Sequence, residues 1–98
     1  MYIVSLNYKV AAKLIAQFQE EHTAFLNAQV AAGSFLLTGA RELKIGEIIL
    51  ANAKSKEALE TILEKDPFKT NGVADFKVME FTPTAAGKKL SFLIDTEK

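Results

Sequence analysis

The amino-acid sequence predicts an α+β domain whose elements run β-α-β-β-α-β. Two observations carry that prediction. Segments rich in β-branched and aromatic residues alternate with segments whose apolar residues recur at steps of three and four. Cap and turn residues, namely Gly33, Ser55, Pro67 and Asn71-Gly72, fall at the joins between them.

The first strand is Met1 to Tyr8 (MYIVSLNY). From Val10 to Ala32 the period changes: Leu14, Ile15, Phe18, His22, Phe25, Leu26 and Gln29 share one face of a helix, and Gly33 stands where a left-handed C-cap is expected. Ser34 to Arg41 and Ile45 to Asn52 read as two strands joined by a short charged loop. Ser55 supplies an N-cap and Glu57 a negative charge in the first turn of a second helix. Its apolar stripe is Ala58, Leu59, Ile62 and Leu63. The helix ends near Lys65, since Pro67 pushes the residue before it out of helical geometry. After the Asn71-Gly72 turn, Ala74 to Thr82 is the last strand of the core. The order is the ferredoxin-like split arrangement, with a four-stranded antiparallel sheet and two helices on one face. The domain spans residues 1–83. Residues 84–98 read as a C-terminal extension, in which Leu90 to Ile94 forms an extra strand or an arm onto a partner subunit.

At 98 residues the chain makes one domain. Lys plus Arg and Asp plus Glu balance at 12 each, without the basic excess of a nucleic-acid or membrane-surface binder. Cysteine is absent, which excludes disulfides, thiolate metal sites and cysteine nucleophiles. The uncharged stretch from Thr23 to Ala40 contains Asn27, Gln29, Gly33 and Ser34 and reads as helix end, turn and strand rather than a membrane span. The N-terminus opens into a strand with no signal-peptide pattern, so the expected location is cytoplasmic.

The strands are apolar on both sides. Met1 and Ile3 oppose Tyr2, Val4 and Leu6; Ile48 and Leu50 oppose Ile45 and Ile49; Phe76 and Val78 oppose Met79 and Phe81. A solvated face would alternate with polar residues. Something must therefore cover the face the helices leave open, and a second copy of the sheet is the simplest cover. The alternative is the chain's own tail.

His22 is the only histidine and lies in the middle of an apolar helical stripe, where an imidazole needs hydrogen-bond partners for its nitrogens. Asp66 closes the second helix, at the end where the macrodipole disfavours negative charge, and gains from a cationic or N–H donor such as an imidazole on the neighbouring helix. The plain readings are a core histidine satisfied by a carbonyl and an Asx-type turn at Asp66-Pro67.

The set His22, Phe25-Leu26, Gly33, Phe35-Leu36, Thr38-Gly39, Gly46-Glu47-Ile48-Ile49-Leu50-Ala51, Asp66-Pro67-Phe68 and Val78-Met79-Glu80-Phe81-Thr82-Pro83 resembles the YCII-related (YciI-like) family over Met1 to Pro83. The resemblance implies a ferredoxin-like dimeric α+β barrel, with His22 and Asp66 matching the family's active-site histidine and aspartate. The activity it implies is elimination of the dehydrochlorinase type. The chain departs from the family where members often carry Gly-Pro and Pro-Arg, reading Gly39-Ala40 and Leu43-Lys44 instead.

With Asp66 orienting the imidazole, His22 acts as general base, or as acid toward a leaving group. Arg41 and Lys44 on the hairpin are candidate contacts for an anionic substrate, and Phe68 is a third candidate substrate contact. No serine or threonine stands in a recognisable nucleophile context, which favours proton transfer over acyl transfer. One histidine without cysteine gives no transition-metal site, the glycines are too scattered to cradle a phosphate, and the third strand lacks the aromatics of an RNA-recognition module. No cofactor is expected. Two functions remain: a small lyase-type or isomerase-like enzyme using a His22–Asp66 pair, or a non-catalytic dimeric domain that binds a small ligand.

Overall fold

The computed structural model describes residues 1–95. Strands β1 (Tyr2–Tyr8), β2 (Phe35–Ala40), β3 (Gly46–Ala51) and β4 (Ala74–Glu80) form one antiparallel sheet in the order β2-β3-β1-β4. Helix α1 (Ala12–Ala32) follows β1, and α2 (Lys56–Leu63) and the short α3 (Pro67–Thr70) lie between β3 and β4. This is the ferredoxin-like arrangement expected from the order of the elements.

Local chemistry explains the boundaries. Gly33 ends α1 at φ 86°, and the N–H groups of Gly33 and Ser34 close onto the carbonyls of Val30 and Gln29. Ser55 Oγ accepts from the Ala58 N–H at 3.1 Å to start α2. The region around Asp66 differs from expectation. Helix α2 ends at Leu63, and Asp66 begins a new turn of helix with Pro67 at its first position. The carboxylate is therefore an N-cap, accepting from the Phe68 N–H at 2.9 Å, and faces the positive rather than the negative end of a helix.

The register sorts the two faces. Tyr2, Val4 and Leu6 pair with Ala51, Ile49 and Glu47 on one side, and all six are buried beneath the helices. Ile15, Leu26, Phe35, Leu59, Leu63 and Phe68 complete that core. On the other face Leu37 is 55% and Met79 64% exposed, with Ile3, Ile48 and Leu50 half-buried between them. Beyond β4 the chain runs to a 3-10 turn at Lys88–Leu90 and a helical turn α4 (Phe92–Asp95). The stretch Leu90 to Ile94 is thus helical, and no strand forms there. The last three residues of the extension expected over 84–98 lie outside the described residues. Leu93 is buried while Leu90 and Phe92 stand half-exposed, and the tail leaves Leu37 and Met79 uncovered.

Candidate active site

Four side chains from four elements meet under the helices. His22, halfway along α1, points at the sheet. Its Nδ1 lies 2.7 Å from Asp66 Oδ1 and its Nε2 2.8 Å from Glu47 Oε1. Tyr8, at the end of β1, donates its hydroxyl to Glu47 Oε2 at 2.8 Å. The result is a continuous series Tyr8–Glu47–His22–Asp66. Phe68 lies flat against the imidazole, with ring centroids 3.7 Å apart and planes 6° from parallel, and meets Tyr8 edge-on at 5.9 Å.

Proton counting follows from the partners. A neutral imidazole carries one N–H, yet both nitrogens here face carboxylate oxygens. The imidazolium, donating to Asp66 and Glu47 together, satisfies both contacts. Burial alone favours the neutral ring; the hydrogen bonds to Asp66 and Glu47 outweigh it and push the His22 pKa up to about 9. The face of Phe68 adds a cation–π contribution in the same direction. Tyr8 shifts upward through burial first and its bond to Glu47 second, so the phenol keeps its proton. Asp66 Oδ2 is the one buried side-chain polar atom without a hydrogen-bond partner among the described residues.

Access to this series is one-ended. His22 and Asp66 are 0% exposed, and the Glu47 side chain is 11% exposed. A cleft of about 520 Å³ opens between the end of β1, the first turns of α1 and the β2–β3 loop. Of the four residues Tyr8 alone lines it, beside Ile15, Gln19, Lys44 and Ile45.

The candidate residues named from sequence fall in different places. His22 and Asp66 come together, but neither faces the cleft. Lys44 lines the cleft; Arg41 does not, and instead bonds Asn7 Oδ1 and lies 3.5 Å from Glu42. Phe68 is fully buried as the wall behind the imidazole. Sequence reasoning missed Glu47 and Tyr8. The signal for both was strand parity, since each occupies an inward position among apolar neighbours, where an ionisable group needs a partner.

Gly46 fixes where Glu47 stands. A Cβ there would come within 1.8 Å of the Leu6 carbonyl oxygen, so β3 packs on β1 at this point only with glycine. Among the described residues no group of His, Cys, Asp or Glu side chains is arranged to hold a metal ion.

The YCII-related domain matches residues 1–82 of this sequence. The chain belongs to the YCII-related family. Among solved structures, this YCII-related chain is similar to 5-chloro-2-hydroxyhydroquinone dehydrochlorinase from Burkholderia phenoliruptrix AC1100, in complex with 2,5-dihydroxybenzoquinone, at TM-score 0.69 and 17% identity. That match covers 91% of this chain and 98% of the other. Muconolactone isomerase matches at TM-score 0.73 and 13% identity, covering 89% of this chain and 93% of the other. At these identities the likeness concerns the fold. No curated protein matches the chain. No helix among the described residues is long and apolar enough to cross a membrane.

Proposed function

We propose that this YCII-related protein is a small-molecule enzyme working by proton transfer, with His22 and Asp66 as its charged reserve and Tyr8 as its contact with substrate. The observation that carries the reading is the hydrogen-bonded series from the cleft wall to a sealed imidazolium. Ion pairs at 0% exposure are poor stabilisers, because apolar side chains of similar size serve a core at least as well. Their presence beneath a cleft supports a use beyond folding.

With a pKa of about 9, His22 holds its proton at neutral pH, and the network works as an acid before it works as a base. As a substrate oxygen in the cleft gains negative charge, the Tyr8 hydroxyl turns from Glu47 and gives up its O–H proton to it. Glu47 then returns a proton to the phenolate oxygen from His22 Nε2. The ring is left neutral, with its remaining proton on Nδ1 held by Asp66. Reversal of these transfers takes a proton from the next substrate group. Isomerisation moves a proton within a molecule and elimination removes one, so the reactions named for the two structural neighbours both suit such a network. Lys44 on the cleft wall serves as the anion contact, while Phe68 and Arg41 act indirectly, the first by packing the imidazole and the second by tying the loop to β1.

A homodimer belongs to the same reading. The exposed Leu37 and Met79 with half-buried Ile3, Ile48 and Leu50 make an apolar patch on the open sheet face suited to a second copy, and Leu90 and Phe92 offer the tail as an added contact.

The test is turnover of a panel of halogenated hydroquinones, lactones and halogenated acids by the native protein, His22→Gln and Tyr8→Phe. Both variants should remain folded and lose roughly a hundredfold or more in rate. The second reading, a non-catalytic ligand-binding domain, is favoured by the complete burial of His22. Saturable binding with no turnover anywhere in the panel would select it.

A further inference from the structure

The loop between β2 and β3 breaks the sequence rule for its own geometry. Leu43 (φ 59°, ψ 14°) and Lys44 (φ 55°) are consecutive left-handed residues, closed by the Ile45 N–H onto the Glu42 carbonyl at 3.4 Å. That is the positive-φ pattern of a type I′ turn, whose central positions favour Asn-Gly because a side chain there is strained. Leucine and lysine are poor choices for it. Packing does not compensate, since Leu43 is 88% exposed.

What the turn achieves is the placement of Lys44. Among the described residues its side chain is the only charged one lining the 520 Å³ cleft, and it has no ion-pair partner there. Gln19 and Tyr8, whose hydroxyl bonds Glu47 in the ligand-free protein, also line the cleft. The other walls are apolar or glycine, including Val10, Ile15 and Ile45. Among the described residues no acidic side chain lines it. The volume falls in the range of small-molecule sites and suits a single-ring compound.

We infer that the cleft takes a small organic monoanion with an apolar, single-ring body, its charge held by Lys44, and that the strained Leu43-Lys44 turn is kept to aim that ammonium. The inference rests on the proton-transfer reading in taking this cleft as the substrate site, and it adds the class of substrate. It separates two properties that normally move together. Relieving the turn should raise stability, while removing the lysine should lower affinity for an anion.

The experiment titrates ¹⁵N-labelled full-length protein with benzoate and with its neutral isostere benzamide, and follows amide shifts and Tm. Benzoate should shift Tyr8, Gln19 and Ile45 and bind about tenfold more tightly than benzamide, as expected for one hydrogen bond to a charged group. Lys44→Gly should raise Tm and abolish that preference by weakening benzoate alone. Leu43→Asn should raise Tm and leave benzoate binding unchanged. Equal binding of benzoate and benzamide, no benzoate shifts in the cleft, or an unchanged preference in Lys44→Gly would each overturn the inference. A fall in Tm for Lys44→Gly would overturn the strained-turn half. Failure of the proton-transfer reading is distinguishable: Tyr8→Phe and His22→Gln would then retain turnover while the benzoate preference stood.

Discussion

On the helix-covered side of the sheet Val4, Leu6 and Ile49 are 0% exposed, and ionisable His22 and Asp66 sit among them equally sealed. On the other side Leu37 and Met79 stand 55% and 64% exposed in an apolar patch with Ile3, Ile48 and Leu50, and Ser5, Asn7, Asp75 and Lys77 continue the same face. The first face is complete within one chain and contains the groups a core would normally exclude. The second contains what a core normally holds and lacks a cover. Charge is placed where burial makes it costly, and apolar surface where water makes it costly. The contrast separates a face built around a polar network from one built for contact.

Breaking the covered face should have the largest effect. Asp66→Ala leaves the imidazolium with one counter-charge and the Phe68 N–H without its acceptor, and should cost about 3–5 kcal/mol in urea unfolding. A loss below about 1 kcal/mol would mean that the pair is not held as tightly as its geometry requires.

Titration sharpens the same face. The His22 pKa is raised from 6.5 to about 9, so its contribution to stability is complete below pH 6.5 and fades as pH rises through 9. The fall across that window should be up to about 3 kcal/mol. Asp66→Asn removes one charge, should lower the His22 pKa in an NMR titration and should narrow the window. An unchanged titration would show that the carboxylate does not set the proton affinity of the ring.

A smaller effect is expected at the network's outer end. Tyr8→Phe deletes one hydrogen bond to Glu47 at a half-buried position and should cost about 1 kcal/mol in melting or urea experiments. The same variant should lose far more activity than that figure alone would predict, if Tyr8 meets the substrate.

The open face should respond least in folding and most in assembly. Leu37→Lys with Met79→Lys should change the unfolding free energy of a single chain by no more than about 0.5 kcal/mol. Light scattering should fall from about twice 10.8 kDa to the single-chain mass. A native protein that scatters as a monomer at micromolar concentration would remove the reason for the apolar face and collapse the contrast.

The two faces were not equally legible. The alternation in MYIVSLNY and IGEIILAN, with the helical stripe through Ile15, His22 and Leu26, was enough to assign elements and order, because burial imposes a period on every amphipathic segment. His22 stood out as a polar break in that stripe. Asp66 was found for a partly mistaken reason: it looked like an acid stranded at the end of α2, whereas it caps α3. Periodicity reports that a helix stops but not that another begins at the next proline. Glu47 and Tyr8 escaped notice because a single charged or hydroxylated residue in a strand is ordinarily read as solvent-facing, and only register tells which face it takes.

The sequence by itself determined the succession of strands and helices, the caps at Gly33 and Ser55 and the polar break that His22 makes in an apolar helical stripe. These follow from local rules or from composition along a short segment. Only the tertiary structure decided that Glu47 takes the second imidazole nitrogen, that Tyr8 carries the series to the cleft, and that Lys44 rather than Arg41 lines it. Each depends on the β1–β3 register, set by Gly46 against the Leu6 carbonyl, and on a turn held at positive φ against its own residues' preference. Contacts between residues dozens of positions apart are fixed by how strands align, and a one-residue slip would turn Glu47 out of the core.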